Sequence, residues 1–270
     1  MSSPGSLSEP AMKILIHQTR ALATDCAASL IAARLNRQPD TVLGLATGGT
    51  MEMVYADLIA RHRAGKVSFA QATSFNLDEY VGLAGTHRCS YRHYMREKLF
   101  DHVDMDPARA FLPQGDAPDA EVEAARYEAA IAAAGDIGLQ LLGLGLNGHI
   151  GFNEPTSSLS SLTRIKTLTR STREANARFF DDPKDVPRLA ITMGIGTILR
   201  AQEVVLLAYG AEKADVVARM IEGPVAAACP ASALQMHRKV TIVLDEAAAS
   251  ALELRDYYEQ VHPRVENASS

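Results

Sequence analysis

Cysteine is scarce and unpatterned. The three in the chain, Cys26, Cys89 and Cys229, form no CxxC pair and no metal-ligand spacing. That excludes a disulfide scaffold and a thiolate metal site, and it fits free thiols in a reducing compartment, so a cytoplasmic setting is expected. His87, His93 and His102 are spaced too irregularly for a metal set, so no metal is expected. No apolar run approaches the roughly 20 residues that a membrane helix needs. Positive charge is not in excess: the formal net charge is -5, which argues against a nucleic-acid-binding surface. A few local cations would still suffice for one phosphate. Internal repeats and composition breaks are absent. The Ser/Pro/Gly-rich start, Met1 to Pro10, lacks the apolar segment of a secretory signal. Residues 1–11 therefore read as a disordered N-terminal tail, and 12–270 as a single catalytic α/β domain.

What remains is ordinary for a globular protein, with 47% hydrophobic and 22% charged residues. From residue 12 onward, strand-like and helix-like stretches alternate. Thr19 to Asn36 has helical spacing, Val42 to Ala46 reads as a strand, and a helix runs from Thr50 to about Ala64. A strand at Thr73 to Leu77 leads into a loop carrying Asp78-Glu79-Tyr80, with helices at Arg88 to Phe100 and Ala120 to Ala134. Strands follow at Ile137 to Leu144, Ile165 to Thr169, Leu189 to Met193, Val204 to Ala208 and Val240 to Leu244, with helices near Ser171 to Phe180 and Glu212 to Ile221. Short apolar strands alternating with helices predict a three-layer α/β/α sandwich with a mostly parallel, Rossmann-like sheet. Ligands of such sheets bind beyond the carboxyl ends of the strands.

The loops at those ends carry the chemistry. The densest segment is Gly143 to Pro155, where a strand enters a glycine-rich turn presenting His149, with Asn147 before it and Glu154 after it. A histidine so placed moves protons near neutral pH, and Glu154 is close enough in sequence to orient it. Thr47-Gly48-Gly49-Thr50, between strand and helix, suits an anion at backbone N–H groups, or is simply a tight turn with a capping threonine. It has neither the lysine of a Walker loop nor the third glycine of a dinucleotide fingerprint. Asp78-Glu79 offers a general base for a carbon-bound proton, or is a solvated loop or an aspartate capping the next turn. Arg178 and Lys213 are candidates to neutralise a phosphate; Lys213 opens a helix, where a cation is disfavoured unless an anion is near. Arg164 and Lys166 alternate along one strand face, either an exposed edge or a second anion site.

Four segments together resemble the glucosamine-6-phosphate deaminase (isomerase–deaminase) family: Leu43 to Thr50, Phe75 to Leu83, Asn147 to Pro155 and Ala175 to Phe180. The likeness runs from about Met12 to Ser250. It implies an enzyme, classed as a hydrolase, that turns glucosamine 6-phosphate and water into fructose 6-phosphate and ammonia in amino-sugar catabolism. By position, it implies that Thr47, Gly48, Gly49, Thr50, Arg178 and Lys213 hold the phosphate. His149, with Asn147 and Glu154, would open the sugar ring, and Asp78 would move the proton from C2 to C1. Neither metal nor organic cofactor is implied, because the substrate amine serves as the electron sink. The resemblance also implies a homo-oligomer with an N-acetylglucosamine 6-phosphate activator site at Ser157, Ser158, Arg164, Lys166 and Thr167. Some relatives carry aspartate where this chain has Asn147, which leaves Glu154 as the main charged influence on His149. Alternatives are a 6-phosphogluconolactonase, which would not need the Asp78-Glu79-Tyr80 segment, a non-catalytic sugar-phosphate sensor, and a deaminase for the galactosamine epimer.

Overall fold

The computed structural model describes residues 12–262, so the tail expected at 1–11 lies outside the described residues. The strands are β1 (Met12–His17), β2 (Val42–Leu45), β3 (Thr73–Asn76), β4 (Asp78–Tyr80), β5 (Ala110–Phe111), β6 (Leu139–Gly143), β7 (Arg164–Thr167), β8 (Leu189–Thr192), β9 (Glu203–Ala208) and β10 (Val240–Asp245). The α-helices are α1 (Arg20–Arg37), α2 (Gly49–Arg63), α3 (Tyr91–Lys98), α4 (Ala120–Ala133), α5 (Arg170–Asn176), α6 (Ile195–Leu199), α7 (Ala214–Ile221) and α8 (Arg255–Val261).

Seven strands form one parallel sheet in the order β1-β10-β9-β6-β2-β3-β5. Successive residues of a strand point to opposite faces. In β9, Val204 to Ala208 are buried without a break, so both faces of the sheet centre are covered. Helices supply that cover. In α1, Ala23, Ala27, Ile31 and Leu35 repeat every four residues and are all buried, the alanines allowing close approach to the sheet. Thr19 starts this helix by accepting the Leu22 N–H at 3.3 Å, which satisfies one of the orphan donors of the first turn. The result is the three-layer α/β/α sandwich.

The strand order reverses at β2. The chain steps one way through β3 to β5, and the other way through β6, β9 and β10 to β1. The loops after β2 and β6 consequently diverge from adjacent strand ends and open a crevice between them.

A second sheet of β4, β8 and β7 is antiparallel and lies beyond the end of β3. Leu77 is the joint: its N–H still bonds to Leu45 O at 3.0 Å in the large sheet, while its carbonyl accepts from Met193 N in the small one. A satellite core of Tyr80, Phe152, Leu168 and Ala190 packs beneath this sheet.

The small sheet corrects one expectation. Asp78-Glu79-Tyr80 is a buried strand, not a loop, paired residue for residue with Thr192, Ile191 and Ala190. The helix expected from Arg88 begins only at Tyr91, because the Ser90 hydroxyl caps it by accepting the His93 N–H at 3.0 Å. The helix expected to reach Phe180 ends at Asn176 and gives way to a 3₁₀ turn over Ala177–Phe179. The helix expected from Glu212 starts at Ala214, after a 3₁₀ turn over Ala211–Lys213.

Candidate active site

A cavity of about 730 Å³ sits at the crevice. The expected phosphate residues Thr47, Gly48, Gly49, Thr50, Arg178 and Lys213 line it, as do Asp78, Asn147 and His149. Five separated stretches of sequence thus meet on one wall system, and Glu154 stands directly behind His149.

The loop after β2 turns through Gly48 at φ 100°, a left-handed value that a side chain would strain. Gly48 caps α2 without any side-chain acceptor; the Met51 N–H turns back to Gly48 O at 2.9 Å, so the Gly49 and Thr50 N–H groups are the ones that can meet an external anion. The Tyr94 hydroxyl holds the loop from behind by donating to Gly48 O at 2.9 Å. Lys213 reaches across and donates to Leu144 O at 2.7 Å; burial lowers its pKa below the ordinary lysine value.

Asp78 is 5% exposed. Burial, and then the neighbouring Glu79 charge, push its pKa up to about 8, against a modest opposing pull from the Phe152 N–H. Glu79 is itself buried and raised to about 7 by that burial. Its carboxylate spans the Tyr80, Tyr91 and Arg92 N–H groups at 2.9–3.0 Å, locking β4 to the start of α3. The pair is buried, not a solvated loop, and it is Glu79 rather than the aspartate that holds the next helix start, while Asp78 lines the cavity.

The loop after β6 folds back on itself, with Gly145 N–H donating to His149 O at 2.9 Å. Only glycine fits at 145, since a Cβ there would lie 2.2–2.5 Å from three atoms of the imidazole. His149 Nδ1–H donates to Asn147 Oδ1 at 2.7 Å, and Asn147 Nδ2–H donates to Glu154 Oε2 at 2.7 Å. The amide's orientation fixes the imidazole tautomer and leaves Nε2 as the proton-accepting nitrogen. Burial lowers the His149 pKa, Glu154 opposes that and Lys213 adds to it. Glu154 is buried, which alone would raise it. Hydrogen bonds from Thr172, Asn147 and Thr169, together with His149, outweigh burial and hold it below the ordinary glutamate value. Glu154 orients His149 chiefly through Asn147, although its oxygen is also 3.6 Å from Nδ1.

Asp78 and His149 belong to the same chamber. Gly151, two residues after His149, places its Cβ position 3.4 Å from Asp78 Oδ2, which brings the loop after β6 against β4. The remaining candidates lie elsewhere. The Ser157 hydroxyl is buried and donates to Glu154 O, and Ser158 pairs with Ser160. Arg164, Lys166 and Thr167 lie on β7. The sequence reading missed Tyr91, whose phenol bonds to Thr47 and is held far above its ordinary pKa by burial, and missed Thr169 and Thr172 behind Glu154. It also missed Arg20 and Tyr209 on the cavity wall. A basic residue in the first turn of α1 was the available signal for Arg20. Among the described residues no group of His, Cys, Asp and Glu is arranged to hold a metal, and no helix is long and apolar enough to cross a membrane.

A family model described as glucosamine-6-phosphate isomerases/6-phosphogluconolactonase matches residues 16–243. The chain is 53% identical over 250 residues to a glucosamine-6-phosphate deaminase of Shewanella woodyi, covering 93% of this chain and 95% of that one. It is 57% identical over 228 residues to one of Rhodopirellula baltica, covering 84% and 91%. A solved structure of a protein described as a monomeric glucosamine-6-phosphate deaminase superposes with a TM-score of 0.87 at 46% identity, over 89% of this chain and all of that one. A 6-phosphogluconolactonase from Trypanosoma brucei superposes at 0.70 with 22% identity, covering 89% and 98%, which is a likeness of fold alone.

Proposed function

The chain belongs to the glucosamine-6-phosphate isomerase/6-phosphogluconolactonase family, and we propose that within it this protein is a glucosamine-6-phosphate deaminase, yielding fructose 6-phosphate and ammonia. The hydrolase class expected from sequence is corrected by the same findings: the relatives are named deaminases and the family is described as isomerases. Isomerase–deaminase is the class that stands. The observation that carries the reading is the shared cavity, in which Asp78, His149 and an anion-ready helix start face one another.

The 6-phosphate is anchored by the Thr47–Thr50 loop, Arg178 and Lys213. His149 Nε2 takes the proton of the anomeric hydroxyl and returns it to the ring oxygen, opening the pyranose; the Asn147–Glu154 chain keeps the ring in the required tautomer. Asp78 then removes the C2 proton, giving an enolamine, and delivers a proton to C1. Water adds to the resulting C2 imine, and ammonia leaves. A carboxyl near its ordinary value of 3.8 would be a weak base for a carbon acid; raised to about 8, it binds the proton strongly enough to carry it between adjacent carbons. Such a positioned group contributes about 10²–10⁴-fold.

The test is the formation of ammonia and fructose 6-phosphate from glucosamine 6-phosphate, run beside 6-phosphogluconolactone. Lactone hydrolysis without deamination overturns the reading. Homo-oligomerisation and activation by N-acetylglucosamine 6-phosphate are proposed with it. The second draws support from Arg164, whose Nη2 is buried without a hydrogen-bond partner, and from Lys166, lowered by burial and by Arg164 beside it. Two adjacent cations in that state favour an anion. A structural neighbour described as monomeric weighs against the first, so light scattering of the purified protein decides it. A cytoplasmic setting fits the three free cysteines.

A further inference from the structure

The cavity wall carries a cation that the mechanism above does not use. Arg20 opens α1, and its guanidinium carbon sits 4.0 Å from the centroid of the Tyr209 ring. Tyr209 follows β9, and its hydroxyl donates to Gly49 O at 3.4 Å, inside the phosphate loop. Both residues line the chamber that Arg178 and Lys213 line. The sheet order β1-β10-β9 explains the reach: Arg20, leaving the end of β1, crosses the end of β10 to lie on Tyr209, a span of roughly 10 Å at the usual strand spacing.

This placement is unfavourable for a structural arginine. The first turn of a helix repels a cation, and α1 has no acidic residue there to offset it. Among the described residues Arg20 forms no ion pair, and the partner it does have is the tyrosine ring, a weak contact at an exposed site. Arg178 is in the same condition, stacked at 4.8 Å on Phe179. The carboxylate of Glu212 borders the cavity but acts on Lys213. Two guanidinium groups, each resting on an aromatic face, therefore flank one helix start that no side chain caps.

We infer that Arg20 is a further substrate-binding residue, a third cation for the sugar 6-phosphate, held over Tyr209 until the dianion binds and then paired with it. The inference rests on the deaminase reading, since it takes the phosphate end of the substrate to lie at the Thr47–Thr50 loop. Tyr209 serves as the positioning residue, keeping the long side chain pre-ordered beside that loop and reducing the entropy lost on pairing.

Steady-state kinetics on the full chain test this, with inorganic phosphate as a competitive probe. Arg20→Ala should raise KM for glucosamine 6-phosphate, and the inhibition constant of inorganic phosphate, by one common factor of about three- to tenfold, as expected for a partly exposed charge pair. The effect should fall in KM and spare kcat, because the contact is made equally in ground and transition states. It should shrink as salt is added. Arg20→Lys should recover part of the loss, keeping the charge without the flat stack. Tyr209→Leu should reproduce the loss, and the double variant should be no worse than Arg20→Ala alone. Unchanged KM and phosphate inhibition in Arg20→Ala, or multiplying losses in the double variant, overturn the inference. A wild-type protein that does not deaminate the substrate overturns the functional reading instead.

Discussion

Replacing Asp78 with asparagine should abolish the reaction and at the same time make the protein more stable. The carboxyl is buried, and its pKa rises from 3.8 to about 8. The folded chain therefore holds a proton over a pH window in which the unfolded chain has already lost it. By linkage, stability falls as pH rises through that window: the penalty is absent below about pH 3.8, grows up to about pH 8, and is constant above. At pH 7 about three decades separate the solution from the unfolded carboxyl, and each decade is worth about 1.4 kcal/mol, so the ionisable group costs on the order of 4 kcal/mol. Asparagine keeps the shape and an acceptor for the Phe152 N–H, but it has no charge to desolvate.

Each kcal/mol moves the melting temperature of a chain this size by about 2–4 °C, so the variant should melt on the order of 10 °C higher at pH 7.5. At pH 4.5 the two proteins should nearly coincide. Differential scanning calorimetry at the two pH values measures this. In parallel, Asp78→Asn should form no ammonia and incorporate no solvent deuterium at C2, while fructose 6-phosphate still raises its melting temperature. Wild-type kcat/KM should climb through neutrality towards about pH 8 as the base ionises and His149, lowered by burial, is already neutral. A variant that melts at or below the wild type at pH 7.5, or that retains C2 exchange, refutes the argument.

Three further substitutions probe separate links. Gly145→Ala places a methyl group within 2.5 Å of the imidazole and should lower kcat by on the order of 100-fold through misplacement, with inorganic phosphate inhibition unchanged. Glu154→Gln removes the charge at the end of the Asn147 chain and should cost roughly 10–100-fold in kcat with little change in KM; turnover near the wild-type value removes its orienting role. Leu206→Ala, at a fully buried position of β9, should cost about 2–5 kcal/mol in urea unfolding without altering KM.

The parallel sheet was legible because its strands are short apolar runs with turn residues between them, and the glycine loops announce themselves at those strand ends. β4 was not. Asp78, Glu79 and Tyr80 carry polar atoms on a strand buried on both faces, and that composition reads as a loop unless the partners are known. The satisfaction of Glu79 by two N–H groups of a helix start over ten residues away is a tertiary fact. The role of Asn147 was equally hidden: its amide stands between His149 and Glu154, so the neutral residue transmits the charge that appeared to act directly. Arg20 and Tyr209 are 189 positions apart and meet because β1 and β9 both flank β10.

The polarity of the cavity follows from these placements and itself selects the bound orientation. The cavity wall gathers Arg20, Arg178, Lys213 and an uncapped helix start, and it also carries the Asp78 carboxyl. An amino sugar phosphate is a dipole of the opposite sense, with a dianion at C6 and an ammonium at C2. Reversal of the ligand would set phosphate against Asp78, whose ionisation it would oppose, and ammonium against guanidinium, both unfavourable in a confined, partly dry space. The productive orientation also brings the C2 ammonium near Asp78, and its positive charge favours the ionised base just when the C2 proton must be taken. The raised pKa of the empty site thus describes a base held in reserve, and the substrate's own charge draws it towards the active form.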